Sequence, residues 1–271
     1  MIKDILIGTA IGDIAGSRFE INNCKTGKDF VLLHDDYCRF TDDTVMTFAV
    51  ADALIKSNKD LNNLEKCAID SMVEIGKNHL NCGFGPSFYY WIKSNEHKPY
   101  GSYGNGAAMR ISPVAVVFQN LEDIKKASAC ITNVSHNHKD SILGAEAVCI
   151  AIYMSLNNKT KDEIIKYIED NYFKIDVINP NLKTLKEIHI NCVETVKQSL
   201  IAFRDSTDFE DAIRNAIALG GDSDTIGAIT GSIASAYYGI PNEMYNHALN
   251  FLSDDLINIH DEFQKYIDNM V

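Results

Sequence analysis

Apolar residues recur at helical spacing in five stretches of this chain, and this pattern constrains its fold more than any other feature. The stretches span residues 45–54, 142–154, 188–201, 212–217 and 229–237. Only five prolines interrupt the 271 residues, so long helices can form between them. The apolar–polar alternation that is typical of strands is scarce, and residues 30–33 come nearest to it. The sequence therefore predicts an all-α fold.

Nothing in the sequence divides the chain into separate domains. It contains no low-complexity linker, no block of like charges and no evident internal repeat. Hydrophobic residues make up 46% of the chain, which is enough for one large buried core. The two strongest motifs, described below, lie at opposite ends of the chain, so a shared site requires both ends to pack together. We therefore expect residues 1–271 to form a single domain.

The chain is acidic, with a formal net charge of −12 at pH 7. Nucleic-acid binding needs clustered Lys and Arg to contact phosphates, and no such cluster is present, so we expect no extended nucleic-acid surface. Acidity of this kind mainly keeps a protein soluble, although some carboxylates could also gather to hold a cation. The composition allows a monomer.

The seven cysteines predict a reducing compartment. Their number is odd and no CxxC pair occurs, so free thiols are expected rather than disulfides or zinc fingers.

The apolar stretch 5–15 could suggest a signal peptide, but Asp4 and Asp13 interrupt it and its charged leader is only Lys3. No stretch approaches the roughly 18 apolar residues of a membrane span. These features predict a cytoplasmic protein without a membrane partner.

A cluster of oxygen-bearing residues directly precedes the apolar stretch that begins at Val45, and it reads Thr41-Asp42-Asp43-Thr44. A helix N-cap is expected at this point, because Thr and Asp accept hydrogen bonds from free backbone N–H groups and suit the helix dipole. Two adjacent aspartates exceed what a cap needs, since their like charges repel unless a cation or a donor offsets them.

A second acidic motif lies between two helical patterns and reads Gly220-Gly221-Asp222-Ser223-Asp224-Thr225. Ser223 or Asp224 could simply cap the following helix. A phosphatase with an aspartate nucleophile would need a strand directly before the motif, and the preceding pattern is helical. Aspartate and threonine oxygens at this spacing suit a hard cation such as magnesium. Together the two motifs supply enough carboxylates for two metal ions, as two-metal hydrolases require.

A stripe of glycines near the N-terminus predicts a close contact between two helices. Gly8, Gly12 and Gly16 recur every four residues and would share one helix face. Glu20 lies just past this stripe. It is a surface residue unless the fold turns it towards the acidic motifs.

Two further segments have both a structural and a functional interpretation. Residues 101–106 are rich in glycine and form either a plain loop or a cradle of backbone N–H groups for a diphosphate. In the same region Tyr103 could stack on a base, and Arg110 could pair with a carboxylate or a phosphate. The pair His136 and His138 lacks a third soft ligand for zinc, so hydrogen bonding or capping is favoured.

Five motifs together resemble the ADP-ribosylglycohydrolase family, which includes the dinitrogenase-reductase-activating glycohydrolase. They read Gly-Asp-Ile-Ala-Gly at 12–16, Phe-Thr-Asp-Asp-Thr at 40–44, Gly-Asn-Gly-Ala-Ala-Met-Arg at 104–110, Ser-His-Asn-His at 135–138 and Gly-Gly-Asp-Ser-Asp-Thr-Ile-Gly at 220–227. They occur in the family's order and span nearly the whole chain, so the set is specific where a lone Thr-Asp-Asp is not. One departure is Lys139, where relatives often carry a proline that shapes the loop.

The resemblance implies a compact orthogonal helical bundle with a two-magnesium site, at which manganese could substitute. On matching positions the metal ligands would be Thr41, Asp42, Asp43, Asp222, Asp224 and Thr225. Glu20 falls where the family often places an acidic residue at the site. The substrate-binding residues would be Gly83 and Gly85 near the distal ribose, Gly101, Ser102, Tyr103, Gly104 and Asn105 around the diphosphate and adenosine, and His136 on the adenosine side.

The implied activity is magnesium-dependent hydrolysis of the N- or O-glycosidic bond that joins ADP-ribose to an acceptor. Water would attack C1″ of the distal ribose through an oxocarbenium-like state, and Glu20, Asp43 or Asp224 would take its proton. Family habit makes ADP-ribosyl-arginine the first expectation for the acceptor, on a protein or a small molecule. Two alternatives stay open: a silent member that only binds ADP-ribose, and a hydrolase of ADP-ribosylated nucleic acid or another ADP-ribose compound.

Overall fold

The helical patterns of the sequence fold as helices. The computed structural model of the protein describes residues 1, 3–20, 26–177 and 190–270. Within those residues the helices are α1 (Ile5–Gly16), α2 (Asp42–Ser57), α3 (Leu61–Asn78), α4 (Pro86–Lys93), α5 (Val114–Val117), α6 (Leu121–Asn133), α7 (Lys139–Leu156), α8 (Lys161–Asn171), α9 (Cys192–Arg204), α10 (Phe209–Leu219), α11 (Ser223–Tyr238), α12 (Asn242–Leu249) and α13 (Asp254–Asp268). A short 3₁₀ helix spans Asn105–Ala107.

Strands are absent from the described ranges, so the prediction of an all-α fold is confirmed. Extended backbone pairs there only in an isolated bridge between Gly104 and Asn191. The segment nearest to a strand pattern, residues 30–33, has irregular backbone. Of the predicted helical stretch 188–201, Ile188 lies outside the described residues and the part from Cys192 onwards belongs to α9.

Several helices begin at a polar residue whose side chain accepts a hydrogen bond from a free backbone N–H group. Asp4 caps α1 in this way, Asn120 caps α6, and Asp208 caps α10. Thr160 and Glu163 form a reciprocal capping box at the start of α8. These side chains replace the hydrogen bonds that the first turn of a helix lacks, so they fix where each helix begins.

The glycine stripe of α1 packs directly against the backbone of α11. A Cβ atom added at Gly12 would lie 1.9 Å from the carbonyl oxygen of Gly227, and one added at Gly16 would lie 2.3 Å from that of Ser223. Every residue of α1 is buried. The prediction of a close helix contact is therefore confirmed, and α11 is the helix that α1 meets.

The hydrophobic core joins the two ends of the chain. One connected cluster of buried hydrophobic side chains includes Ile5 in α1 and Phe263 in α13, together with side chains from α2, α7 and α9. Helix α2 packs against α1, α3 and α13. Because its first residues are Asp42 and Asp43, this packing places the acidic motif at 41–44 beside α1 in the interior.

A buried carboxylate ties α1 to the last two helices. The Nε2 atom of His260 lies 2.7 Å from Oδ2 of Asp4. The hydroxyl of Tyr245 and the amide of Gln264 donate to the same oxygen at 3.2 and 3.3 Å. Asp4 therefore both caps α1 and anchors α12 and α13 against it.

Two further predictions from the sequence concern free thiols and membrane spans. Six of the seven cysteines lie in them, and all six are free thiols; Cys24 lies outside. Within the same ranges, no helix has the length and hydropathy to cross a membrane.

We expect Gly12→Ala to destabilise the protein by about 2 kcal/mol or more, because the added methyl meets the backbone of α11, which cannot move without separating the helices. Urea unfolding measures this cost. A matched change is Gly76→Ala in α3, where the methyl meets only side-chain atoms, those of Ile92 and the terminal methyl of Met46. Equal stability of the two variants would contradict the close contact.

We expect the free energy of unfolding to fall as the pH rises through the pKa of His260. Burial lowers that pKa, but the hydrogen bonds and charges of Asp4 and Asp261 raise it by more, so it lies above its ordinary value of 6.5. A group with a raised pKa contributes its full stability below the unfolded pKa and loses it above the folded one. Urea unfolding of wild type and His260→Gln from about pH 6 to about pH 9 tests this. If the free energy of unfolding of the variant fell with pH as steeply as that of the wild type, the assigned role of His260 would be contradicted.

Candidate functional site

Asp13, in the last turn of α1, accepts four hydrogen bonds from the start of α2. Its carboxylate takes the backbone N–H groups of Thr41 and Thr44 at 2.8 and 3.1 Å. It also takes the hydroxyl of Thr41 at 2.7 Å and the hydroxyl of Thr44. Burial still raises its pKa above the ordinary value, against these hydrogen bonds. Asp13 therefore fixes the acidic motif at 41–44 against α1.

The fold gathers carboxylates from three distant segments into two overlapping groups. One ligand atom from each of Asp13, Asp43 and Asp224 lies within 4.8 Å of the others. A second group, with the same spacing, contains Glu20, Asp222 and Asp224. Asp224 belongs to both groups. Asp13 and Asp224 are 211 positions apart in the sequence, so only the packing of α1, α2 and α11 brings the groups together.

The negative charges of these groups are not neutralised by basic side chains. In the described ranges none of these carboxylates, nor that of Asp42, forms an ion pair with Lys or Arg. Burial, followed by the charge of Asp13, raises the pKa of Asp42 to about 8. Burial also raises the pKa values of Asp43 and Asp224 well above 3.8, and the neighbouring aspartates add to the effect. Glu20 is exposed at the mouth of the site, but partial desolvation, followed by the charge of Asp222, raises its pKa, while Arg39 opposes them.

The residues present fit a hard cation. Oδ1 of Asp43 is buried and has no hydrogen-bond partner among the described residues. Its other oxygen, Oδ2, receives only long hydrogen bonds, at 3.4 Å from Thr41 and 3.3 Å from Thr225. A buried carboxylate oxygen without a donor is costly, and a divalent cation would satisfy it. Carboxylate and hydroxyl oxygens are the donors that such cations prefer.

A cavity of about 370 Å³ opens over the two carboxylate groups. Its lining includes carboxylates of both groups, which we call the acidic end, and the rings of Phe88 and Tyr100 beside His136, which we call the aromatic end. Several glycines complete it. The lining residues are Glu20, Asp42, Asp43, Gly83, Gly85, Pro86, Ser87, Phe88, Tyr100, Ser102, Gly104, Asn105, Gly106, Met109, Arg110, His136, Ile190, Asp222, Asp224 and Thr225. A volume of this size and this mixture of surfaces suit a small organic ligand with a polar and an aromatic part.

Most of the residues expected at the site line this cavity. Among the expected metal ligands, all line it except Thr41, which lies behind the wall and donates to Asp13. Among the expected substrate-binding residues, Gly101 and Tyr103 do not line it. The N–H group of Gly101 donates to Asn137 at 2.8 Å, so it is occupied within the protein. The ring of Tyr103 is partly exposed and lies 6.0 Å from that of His138.

Asn105 joins the glycine loop to the acidic end of the cavity. Its Nδ2 donates to Oδ2 of Asp222 at 2.5 Å and to the hydroxyl of Thr195 at 3.3 Å. Asp222 itself stands at the N-cap position of α11 without a side-chain capping bond. The alternative in which Ser223 or Asp224 caps this helix is therefore wrong, and the Asp222 carboxylate lines the cavity, where it accepts from Asn105. The phosphatase alternative also fails, since helix α10 precedes the motif.

Comparison with known proteins identifies the family. The sequence model of ADP-ribosylglycohydrolase matches residues 2–269. The chain belongs to the ADP-ribosylglycohydrolase family. It is thus an enzyme of the glycohydrolase class, and the family resemblance of the five motifs is confirmed.

Individual relatives of this ADP-ribosylglycohydrolase family member are distant. The chain is 25% identical to the ADP-ribosylarginine hydrolase Tri1 of Pseudomonas putida (strain GB-1), over 88% of this chain and 70% of that protein. It is 26% identical to the ADP-ribosylhydrolase ARH3 of Danio rerio, over 88% and 82% of the two chains. A solved ADP-ribosylglycohydrolase-related protein complex has a similar fold, with a TM-score of 0.71 at 19% identity over 97% of this chain and 94% of that one. The predicted helical bundle of this family is therefore confirmed.

Sequence reasoning missed two sets of residues in this family member's site. Asp13 was seen only as part of a motif, although a lone aspartate among the apolar and glycine residues of α1 is the signal of a buried polar group with a role. Phe88, Tyr100 and Met109 also line the cavity, and the first two lie beside His136 at its aromatic end. They lie close to the glycine loops in the sequence. Ordinary core residues also lie there, so this position alone does not identify them as site residues.

We expect a divalent cation to stabilise the protein through the carboxylate groups. At a concentration of 100 times its Kd, a ligand of the folded state adds about 2.7 kcal/mol, which raises the Tm by several degrees. Thermal unfolding with Mg²⁺, with Mn²⁺ and with EDTA measures this shift. Asp224→Asn should abolish the shift without lowering the Tm in EDTA, because it also removes a repelling charge. Asp70→Asn, which changes an exposed aspartate, should keep the shift. A wild-type Tm that neither cation moves would contradict the fit.

Proposed function

We propose that this protein hydrolyses the glycosidic bond between ADP-ribose and an acceptor with the help of divalent cations. The carrying observation is the cavity whose acidic end holds two overlapping carboxylate groups and whose other end is aromatic. Magnesium is the first expectation for the ion and manganese a substitute, because both take oxygen ligands. Membership of the ADP-ribosylglycohydrolase family supports the same reaction.

The proposed ligands of the cations are oxygens at the starts of α2 and α11. They belong to Thr41, Asp42, Asp43, Asp222, Asp224 and Thr225. Asp13 would hold Thr41 and Thr44 in place through its four hydrogen bonds. Bound at these groups, divalent cations would lower the pKa of a coordinated water and polarise substrate hydroxyls.

Glu20 is the best placed of the three candidate bases. It lines the cavity and is exposed at its mouth, whereas Asp43 and Asp224 are buried. Its raised pKa makes its carboxylate a stronger base than an ordinary Glu, as proton transfer near neutral pH requires. We propose that the Glu20 carboxylate takes the proton of the water that attacks C1″ of the distal ribose. Asp43 and Asp224 then stabilise the positive charge of the oxocarbenium-like state.

The glycine loops and the aromatic end would hold the ADP-ribose half of the substrate. Ser102, Gly104 and Asn105 line the cavity and would contact the diphosphate, and His136 would contact the adenosine side. Gly83 approaches Asp42, since a Cβ added there would lie 3.0 Å from its Oδ1, so that loop would cover the distal ribose. Gly101 and Tyr103 would support the loop from outside the cavity.

The acceptor is proposed to be arginine, on a protein or in a small molecule. Relatives of this chain include hydrolases named for ADP-ribosylarginine. The net charge of −12 disfavours an extended nucleic-acid surface, so ADP-ribosylated nucleic acid is a weaker candidate. We further propose a single domain, a monomer and a cytoplasmic location, in keeping with the continuous core and the free thiols.

We expect release of free ADP-ribose from ADP-ribosyl-arginine, and its loss on chelation. The assay is hydrolysis of a panel of defined conjugates linked through arginine, serine, ribose of poly-ADP-ribose and nucleotide phosphate, with Mg²⁺ or EDTA. Glu20→Gln should lower kcat by about 10²–10⁴-fold, because it removes the base but not the binding groups. Asp70→Asn should retain full activity.

Each other outcome of this panel has a defined meaning. Tight binding of ADP-ribose without release from any conjugate would favour the binding-only alternative. Release from the serine, poly-ADP-ribose or nucleotide linkage without release from arginine would overturn the arginine proposal. Full activity of Asp224→Asn would show that the acidic end of the cavity is not the reacting site.

A further inference from the structure

Arg110 is a fully buried cation that borders the cavity. Its guanidinium carbon lies 5.1 Å from the centre of the Phe88 ring. Its Nη2 donates to the hydroxyl of Ser135 at 2.8 Å, while Nε and Nη1 have no hydrogen-bond partner among the described residues. Burial lowers its pKa only to about 10, so it stays charged at neutral pH. Arg110 borders the cavity but has no solvent-accessible surface, so we assign it to the layer behind the cavity wall, where it acts on a ligand through its neighbours.

The Ser135 hydroxyl has one direction in which to donate its proton. It is fully buried and already accepts a hydrogen bond from Arg110, which can only donate. The other partner in reach is Nδ1 of His136 at 2.7 Å. If Nδ1 carried a proton, the Ser135 hydroxyl would have no acceptor in the described structure, and an unpaired buried hydroxyl is costly. The hydroxyl therefore donates to Nδ1, which is bare.

The remaining nitrogen of His136 faces the glycine loop. A Cβ added at Gly106 would lie 3.0 Å from Nε2, and one added at Gly104 would lie 3.9 Å from it. Both glycines line the cavity, as does His136. Burial, with the charge of Arg110 second, lowers the pKa of His136 well below 6.5, so the ring is neutral and keeps one proton. With Nδ1 bare, that proton is on Nε2.

We propose that Arg110 and Ser135 are positioning residues that lock His136 in its Nε2–H tautomer, so that the ring offers one neutral donor to the cavity. This inference rests on the proposed function, because the ligand it implies is an acceptor atom of the adenosine diphosphate half of ADP-ribose. A ribose hydroxyl, a purine ring nitrogen or a phosphate oxygen provides such an atom. The buried cation thereby orients the donor while it remains out of contact with the ligand.

The tautomer is measured directly on the free wild-type protein labelled with ¹⁵N-histidine. Two-bond ¹H–¹⁵N correlation spectra distinguish a protonated from a bare ring nitrogen, and His136→Gln identifies the His136 signals by their loss. The expected spectrum shows Nε2 protonated and Nδ1 bare. A protonated Nδ1, or a doubly protonated ring at neutral pH, would overturn the inference. This measurement needs neither ligand nor activity, so it stands whatever becomes of the proposed function.

Substitution of Arg110 separates a tautomer lock from simple packing. Arg110→Met fills a similar volume but removes the donor to Ser135. Either orientation of the hydroxyl then leaves one hydrogen-bonding site of the Ser135–His136 pair unpaired, so the preference weakens and the spectrum should show a mixture of tautomers. Arg110→Lys restores a cationic donor and should restore the Nε2–H form. An unmixed Nε2–H tautomer in Arg110→Met would overturn the role of Arg110.

The effect on the ligand is measured as the affinity for ADP-ribose by calorimetry. Ser135→Ala should weaken binding about three- to tenfold, the usual worth of one neutral hydrogen bond. Ser155→Ala is the matched control, since it removes a buried hydroxyl that bonds only the carbonyl of Ala151 in α7. Equal affinity of Ser135→Ala and wild type would overturn the link to the ligand. Failure of the wild type itself to bind ADP-ribose would instead overturn the proposed function.

Discussion

The contact between the backbones of α1 and α11 is the interaction on which the rest of the site depends. The glycines of α1 let its axis approach α11 so closely that a single methyl at Gly12 would meet the carbonyl of Gly227. This contact carries Asp13 into the interior beside the start of α11. From there Asp13 holds the start of α2 through four hydrogen bonds. Two helix starts that are far apart in the chain thus face one another across a few ångströms.

The cost of this arrangement is the repulsion of several buried carboxylates. Their pKa values are raised by burial and by one another, and the orphaned oxygen of Asp43 lacks a donor. A fold tolerates such a cluster when the surrounding packing is extensive, and here the core extends from α1 to α13. The repulsion between these carboxylates lowers the stability of the fold without a cation. A bound cation would remove that repulsion, and this gain would make the proposed cation binding favourable.

The cavity has two ends with opposite electrostatic character, joined by the glycine loop. At the acidic end the carboxylates attract positive charge. At the other end Arg110 supplies a buried positive charge under Phe88, and His136 is held neutral. Asn105 connects the ends, since it donates to Asp222 and lies in the same loop as Gly104 and Gly106. A ligand that bridges the ends would therefore need a sugar with free hydroxyls at one end and an aromatic base at the other.

The sequence by itself determined the helical class, the glycine stripe, the family and most residues of the acidic end. It did so because helical periodicity, helix starts and close helix contacts are written in spacings of a few residues, and the motifs at 41–44 and 220–225 carry their chemistry locally. Only the tertiary structure decided that Asp13 is a hub, that Gly101 and Tyr103 lie outside the cavity and that Asp222 is free of capping. It alone placed Ser135 between Arg110 and His136. These outcomes depend on which side chains meet across distant segments, and spacing along a chain does not encode the distance between groups that packing brings together.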